Sequence, residues 1–293
     1  MIRAACLLAF ALPMIAAADP DPIKTRLDAA REVYQEEMKA ARDRLSEWLN
    51  GREDYARKVG DKKAADRTKE ERETFASFGE LPKGIPDDIS KQMTASQAAI
   101  EAAYQLAIKD YVKSRNDVAA AATERALAEV RKARWGHLEL GKAEVLDGYI
   151  RLGLQSRIET RKQYTGGVDV IVIARTEKEN IRLDAHRGAC VIWNWEINPT
   201  ELRVSRPDGQ ETPESGSLAT ARVIPLKPNA WHTLKWRLTP TGMTITTDGK
   251  VVFTDRKAYD LDIPTAVRLR TGTSVVDVKE FTVTPIPPPS KDK

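Results

Sequence analysis

The chain has 293 residues, 31% of them charged, and a formal net charge of +4 at pH 7. That length allows about two domains. A balance so near neutrality argues against a dedicated nucleic-acid binder. With only two cysteines, Cys6 and Cys190, no disulfide-framed scaffold is available.

Met1 to Ala18 reads as an export signal. Arg3 supplies the positive start, residues 4–17 form an apolar stretch broken by Pro13, and Ala16-Ala17-Ala18 supplies small residues for cleavage. The stretch is shorter than the roughly 20 residues a membrane-spanning helix needs, and no other segment is long and apolar enough. The mature chain is expected to be exported, periplasmic or extracellular. It loses Arg3, which takes the charge from +4 to +3. It also loses Cys6, so Cys190 has no partner for an intramolecular disulfide.

Residues 19–134 read as a helical domain. Asp21-Pro22 is a helix start. Two seven-residue series follow: Leu27, Tyr34, Ala41, Trp48, Tyr55, and Arg31, Met38, Leu45, Arg52, Val59. They predict an a/d stripe as in a coiled coil, with Arg31 and Arg52 snorkelling from the seam. Gly79, Pro82, Gly84 and Pro86 break the helix over about 78–88, and Asp87 can cap the next one. The second stripe carries Met93, Gln97, Ile100, Tyr104, Ala107, Tyr111 and Val118. An antiparallel helical hairpin is the simplest arrangement. A weak internal repeat at an offset of 56 residues pairs Tyr55, Gly60-Asp61 and Ala64-Ala65 with Tyr111, Asn116-Asp117 and Ala120-Ala121. Two hairpins, each bending at its Gly/Asn-Asp pair, fit equally well. Acids and bases are mixed on the polar face, which excludes a membrane-surface helix. The helices are expected to act as a spacer, a partner-binding surface or a homo-oligomerising rod.

Near Trp135 the period changes from helical to two. Residues 135–285 read as a β-sandwich, and 286–293, with Pro287-Pro288-Pro289, as a disordered tail. Val168 to Arg175 is apolar on both faces, as in a central strand. Ile181, Leu183 and Ala185 alternate with Arg182, Asp184 and His186; Val191, Trp193, Trp195 and Ile197 share one parity. Pro207-Asp208-Gly209 marks a turn. Asp248-Gly249, between Met243–Thr247 and Lys250–Phe253, predicts a type I′ hairpin. The phase change between Val278 and Phe281 predicts a bulge. Ten or more short strands give an antiparallel sandwich, and the fold class is α+β in two separate domains.

The run Asn229-Ala230-Trp231-His232-Thr233-Leu234-Lys235-Trp236, the segment Ile245 to Phe253 and the final Val276-Val278-Phe281-Val283 strand resemble the concanavalin A-like lectin/glucanase jelly roll. The pattern is similar to LamG-type modules and to the 3-keto-disaccharide hydrolase-like domain, over roughly residues 220–285. The whole layout resembles exported modular proteins of planctomycete-type bacteria. The resemblance implies a jelly roll and recognition of a glycan or a cell-envelope polymer or surface protein. Its alternative implication is a saccharide-acting hydrolase.

No catalytic residue emerges. The Glu-x-Asp-x-x-Glu pattern of the catalytic relatives is absent, and Glu177-Lys178-Glu179 reads as a hairpin tip. His186 and Cys190 have a metal-like gap but make only two ligands. His137 and His232 have no readable partners. No cofactor is expected; Asp260 and Asp262 lie in a loop where calcium is the one conceivable ion, but it would need several more oxygens than they supply. The first ligand candidate is Trp193, Asn194, Trp195 and Glu196 with Arg182 and Asp184, since aromatic rings stack on sugars and polar neighbours bond hydroxyls. Shared parity with Val191 and Ile197 equally allows both tryptophans to be core. The second is a basic face of Lys235, Arg237, Arg268 and Arg270, if their strands are neighbours. An ordinary solvated face explains it equally well.

Overall fold

The computed structural model describes residues 21–178, 180–207 and 218–286. The segment read as an export signal, Asp208-Gly209, Glu179 and the segment from Pro287 lie outside the described residues. Four helices come first: α1 (Pro22–Lys58), α2 (Lys62–Phe78), α3 (Asp87–Lys113) and α4 (Asp117–Ala133). Asp21 caps α1 by accepting from the Ile23 and Lys24 amides, with Pro22 at the first helical position. Gly79, at φ 68°, ends α2 in the left-handed conformation that glycine adopts without a Cβ clash. Asp87 is the first residue of α3 rather than its cap.

The two-hairpin alternative is the one formed. α2 folds back on the end of α1, and α4 folds back on α3. α3 runs antiparallel to the first two-thirds of α1, as the contacts Arg44–Asp88, Glu37–Ser96, Tyr34–Gln97 and Asp21–Tyr111 show in order. One core gathers Leu27, Ile100, Tyr104 and Leu127; another gathers Ala41, Leu45, Leu49 and Ile89. The first stripe ends earlier than its heptads predict: Tyr55 is 69% exposed and Val59 56%.

The repeat is real, but its register is 55 residues, not 56. Asp61 caps α2 through the Ala64 amide, and Asn116 caps α4 through the Ala119 amide. The left-handed turn residue is Gly60 in the first hairpin and Arg115 in the second. The buried threonines Thr68 and Thr123 each donate to the carbonyl four residues back. Leu45, Leu49 and Ala56 correspond to Ile100, Tyr104 and Tyr111, all buried.

Trp135 is 4% exposed and belongs to the sandwich core, so the change of period is also an anchor. Lys162 reaches back to α2, donating to Glu70 Oε1 at 2.9 Å and Thr74 Oγ1 at 3.0 Å. Arg131 of α4 bridges Glu101 and Asp147.

Fourteen strands follow: β1 (Leu138–Glu139), β2 (Glu144–Val145), β3 (Ile150–Leu152), β4 (Arg157–Thr160), β5 (Gly167–Thr176), β6 (Ile181–Asp184), β7 (Cys190–Trp193), β8 (Glu201–Ser205), β9 (Leu218–Arg222), β10 (His232–Thr239), β11 (Gly242–Thr247), β12 (Lys250–Asp255), β13 (Arg268–Thr271) and β14 (Val276–Ile286). They form two antiparallel seven-stranded sheets. The first has the order β1-β4-β13-β6-β7-β8-β9 and the second β12-β11-β10-β5-β14-β3-β2. Inward residues of both, among them Leu183, Trp193, Val204, Val172, Trp236 and Phe281, share one core. Each fully buried aliphatic side chain there contributes about 2 kcal/mol of transfer free energy.

Two sequence expectations hold in detail. Asp248 (φ 48°) and Gly249 (φ 80°) close the β11–β12 hairpin. The register of β14 against β5 shifts between Val278 and Glu280. The tail differs at its start: Pro285 and Ile286 pair with Val168 and Gly167, so β14 extends into the segment read as tail.

Candidate ligand-binding face

The two sequence-derived candidates do not survive as groups; parts of each combine into a different one. Trp193 faces the core at 1% exposure, and its Nε1–H donates to Thr247 Oγ1 at 3.0 Å. Asn194 is 3% exposed and ties down backbone: its Oδ1 accepts from the Leu226 amide at 2.7 Å, and its Nδ2 donates to the Leu226 carbonyl at 3.1 Å. Neither side chain belongs to a surface. The parity shared by Trp193 and Trp195 breaks between them because Asn194 is left-handed, at φ 49°. β7 ends there, and half-buried Trp195 turns to the opposite side, under the Arg203 guanidinium, 4.8 Å from the ring centre.

The basic face also divides. Lys235 and Arg237 lie on β10 of the second sheet, whereas Arg268 and Arg270 lie on β13 of the first. These strands are not neighbours, and Arg237 is paired with Asp169 at 3.2 Å.

The outer face of the first sheet gathers the rest. Inward positions such as Ile158, Leu269, Leu183, Val191 and Leu202 are buried, so the alternate positions point away from the core. Register places Arg157, Arg270, Arg182, Ile192 and Arg203 in one row across β4, β13, β6, β7 and β8. The row beside it holds Glu159, Arg268, Asp184, Cys190 and Ser205. Arg270 Nη2 donates to Asp184 Oδ1 at 2.9 Å, Arg268 to Glu159 at 2.6 Å, and Arg182 to Glu196 at 2.9 Å. Burial pushes the Cys190 thiol up, and neighbouring Asp184 adds to the shift, so the thiol stays protonated. Burial is the largest influence on Arg270 and opposes its charge, but the hydrogen bond and the charge of Asp184 together with Cys190 raise its pKa on balance.

Six arginines (157, 182, 203, 222, 268, 270) against five carboxylates (139, 159, 184, 196, 201) leave one positive charge in excess on this face. Arg157 and Arg203 form no ion pair among the described residues, although Glu201 stands two residues from Arg203 on the same face of β8. They stand four strand spacings apart, about 19 Å. Chemically, the face offers bidentate donors to carboxylate or sulfate groups and one indole ring beside them.

Arg157 and Arg203 were missed because neither stands in a motif. The available signal was arginine at the outward parity of several strands. A second cluster was also missed. Trp231 (36% exposed) and Tyr149 meet edge to face at 5.9 Å, at one end of the second sheet. Arg175 covers both rings, and Arg151 and Arg175 share Asp277 at 2.8 Å each. Burial of Asp277 opposes ionisation, but the two guanidiniums hold its pKa below the usual carboxylate value.

The histidines are structural. His186 Nδ1 lies 3.1 Å from the Ile263 carbonyl, and burial lowers its pKa. His137 lies 3.1 Å from the Phe281 carbonyl, and burial lowers its pKa too. His232 bridges Asp248 and the Lys227 amide. Asp260 accepts from the Asp262 amide in a local turn. Among the described residues no group of three or more His, Cys, Asp or Glu side chains could hold a metal ion. No helix among them is long and apolar enough to cross a membrane.

No family model matches the chain, and no curated protein matches it. Solved structures with similar coordinates include the Emp47p carbohydrate recognition domain, at 13% identity and TM-score 0.42, covering 51% of this chain and 88% of that one. The Ca2+/Man-bound exoplasmic/lumenal domain of VIP36 has 11% identity and TM-score 0.40, covering 53% and 85%. The carbohydrate binding module CBM66 from Bacillus subtilis has 8% identity and TM-score 0.38, covering 50% and 94%.

Proposed function

We propose that this is an exported, non-catalytic binding protein whose sandwich holds an acidic glycan or cell-envelope polymer across the outer face of the first sheet. The helical domain then acts as spacer. The carrying observation is the cross-strand row ending in two arginines that form no ion pair among the described residues, Arg157 and Arg203, with Trp195 against one of them. An extended polyanion lying across the strands meets both charges at once. A neutral sugar would use the ring alone.

Isothermal titration with uronate and sulfated oligosaccharides, against neutral ones of equal length, tests this. Arg203→Ala is expected to weaken binding at least tenfold, the effect of losing one charge-assisted contact of about 1.5–3 kcal/mol, and Trp195→Ala to weaken it by removing the ring that Arg203 stacks on. Lys235→Ala, on the other sheet, is expected to leave binding unchanged. Affinity should fall with added salt. Equal affinity for neutral and acidic oligosaccharides, or no binding of either, rejects the reading.

A further inference from the structure

The 55-residue repeat makes its two hairpins comparable position by position, and they differ in how the groove between their helices is covered. In the second hairpin the groove between α3 and α4 is filled. The first turns of α1 lie in it, with Leu27 in the shared core, Ile23 packed against it, Arg26 on Asp110, and the Tyr111 hydroxyl donating to Asp21 at 2.7 Å. By the same register, the groove between the end of α1 and the start of α2 is its equivalent: Ala56 stands for Tyr111, Tyr55 for Asp110, and Trp48 for Ala103. The segment that would fill it corresponds to residues 76–86, where Gly79, Pro82, Gly84 and Pro86 prevent a helix. Ile85 packs against the cluster of Ala41, Leu45, Leu49 and Ile89 and is not among the residues that line the groove. What remains is an open groove of about 450 Å³, lined by Trp48, Gly51, Arg52, Tyr55, Val59 and Arg67 among others.

Gly51 is the second observation. It sits inside a 37-residue helix, where glycine is unfavourable relative to alanine. Nothing in the chain requires it, since a Cβ built there meets no atom within 4 Å. A missing side chain beside Tyr55 and Val59, with Trp48 covered by the Arg52 guanidinium 4.6 Å from its ring centre, permits close approach by another helix.

We infer that this groove is the interface through which two copies of the chain pair, with the C-terminal halves of their α1 helices antiparallel about a two-fold axis. Within the chain, α1 already packs antiparallel against its own repeat, α3. In the paired form Tyr55 of each copy lies over Gly51 of the other. At about 3.6 residues per turn, Glu47 and Lys58 fall on the same flank of the stripe. An antiparallel pair sets each against the other's counterpart, giving two intermolecular ion pairs. Both side chains are exposed and have no ion-pair partner among the described residues.

Sedimentation equilibrium of the chain from residue 19 onward, from low to several hundred micromolar, is expected to show the mass rising from one copy to two. Gly51→Gln improves helix propensity yet fills the seam. It is expected to keep or raise thermal stability while raising the dimer dissociation constant at least tenfold. Glu47→Lys and Lys58→Glu should each weaken pairing, and the double reversal should restore it. A monomer throughout, as expected if the groove serves a helix of some other protein, overturns the inference. So does a dimer indifferent to Gly51→Gln or to the charge reversals. Glycan binding is measured separately, so failure here leaves the reading of the arginine face intact.

Discussion

Replacing Glu80 with glutamine tests the joint between the helices and the sandwich. Glu80 follows the glycine that ends α2, half-buried beside Lys162, Glu70 and Tyr164. Burial raises its carboxyl from 4.5 to about 7; Lys162 opposes the shift and Glu70 adds to it. Lys162 is already engaged by Glu70 and Thr74, which limits what it offers Glu80. Below the unfolded value the carboxyl is neutral in both states and costs nothing. As the pH rises to about 7, the unfolded chain releases the proton while the fold retains it, so stability falls through that window. The full difference corresponds to about 3 kcal/mol, and water reaching a half-buried group reduces it to about 1–2 kcal/mol. Glu80→Gln stays neutral throughout. It is expected to stabilise the protein by that amount near pH 8 and to have no effect near pH 4. Urea unfolding at both pH values reads the difference. A gain of the same size at both, or none at the higher, refutes the assignment of a raised carboxyl at the joint.

Two further substitutions probe the sandwich. Asn194→Ala removes the cap on the Leu226 amide and puts a less tolerant residue at φ 49°. It should cost about 3 kcal/mol in urea unfolding, with Asn194→Gly recovering only the backbone part; equal losses would mean the conformation contributes nothing. Asp277→Asn leaves Arg151 and Arg175 without their shared carboxylate. It should cost about 3 kcal/mol near neutral pH. The depressed carboxylate's stabilisation is lost as pH falls through its folded value, so the cost should shrink in acid; a cost that persists at low pH refutes the ion-pair account.

The elements legible in the sequence were those written in local chemistry. Asp21-Pro22, the Gly79 to Pro86 break and Asp248-Gly249 each fix a backbone conformation within a few residues, and each stands where it was read. The β14 bulge was legible because an inserted residue shifts parity visibly. The face was less legible, because strand order is not a local property. Lys235 and Arg237 look equivalent to Arg268 and Arg270 in the sequence, yet they point away from opposite sides of the sandwich.

Asn194 shows how one residue separates pattern from structure. Period two assigns Trp193 and Trp195 to one face as long as the strand continues. One left-handed residue ends the strand, holds Leu226 by its side chain, and sends the second indole outward to Arg203. Asparagine tolerates that conformation better than other non-glycine residues, so the local signal was present. The helical repeat makes the same point at longer range. A shift of one residue, from 56 to 55, aligns Asp61 with Asn116 as caps and Ala56 with Tyr111 as core. Only in that register does the groove at Gly51 stand out as the uncovered counterpart of one that the chain fills with its own first helix. The comparison that reveals a surface therefore depends on hydrogen-bonded turns, because the residue pairs that suggest the repeat in sequence are not the pairs that occupy equivalent places.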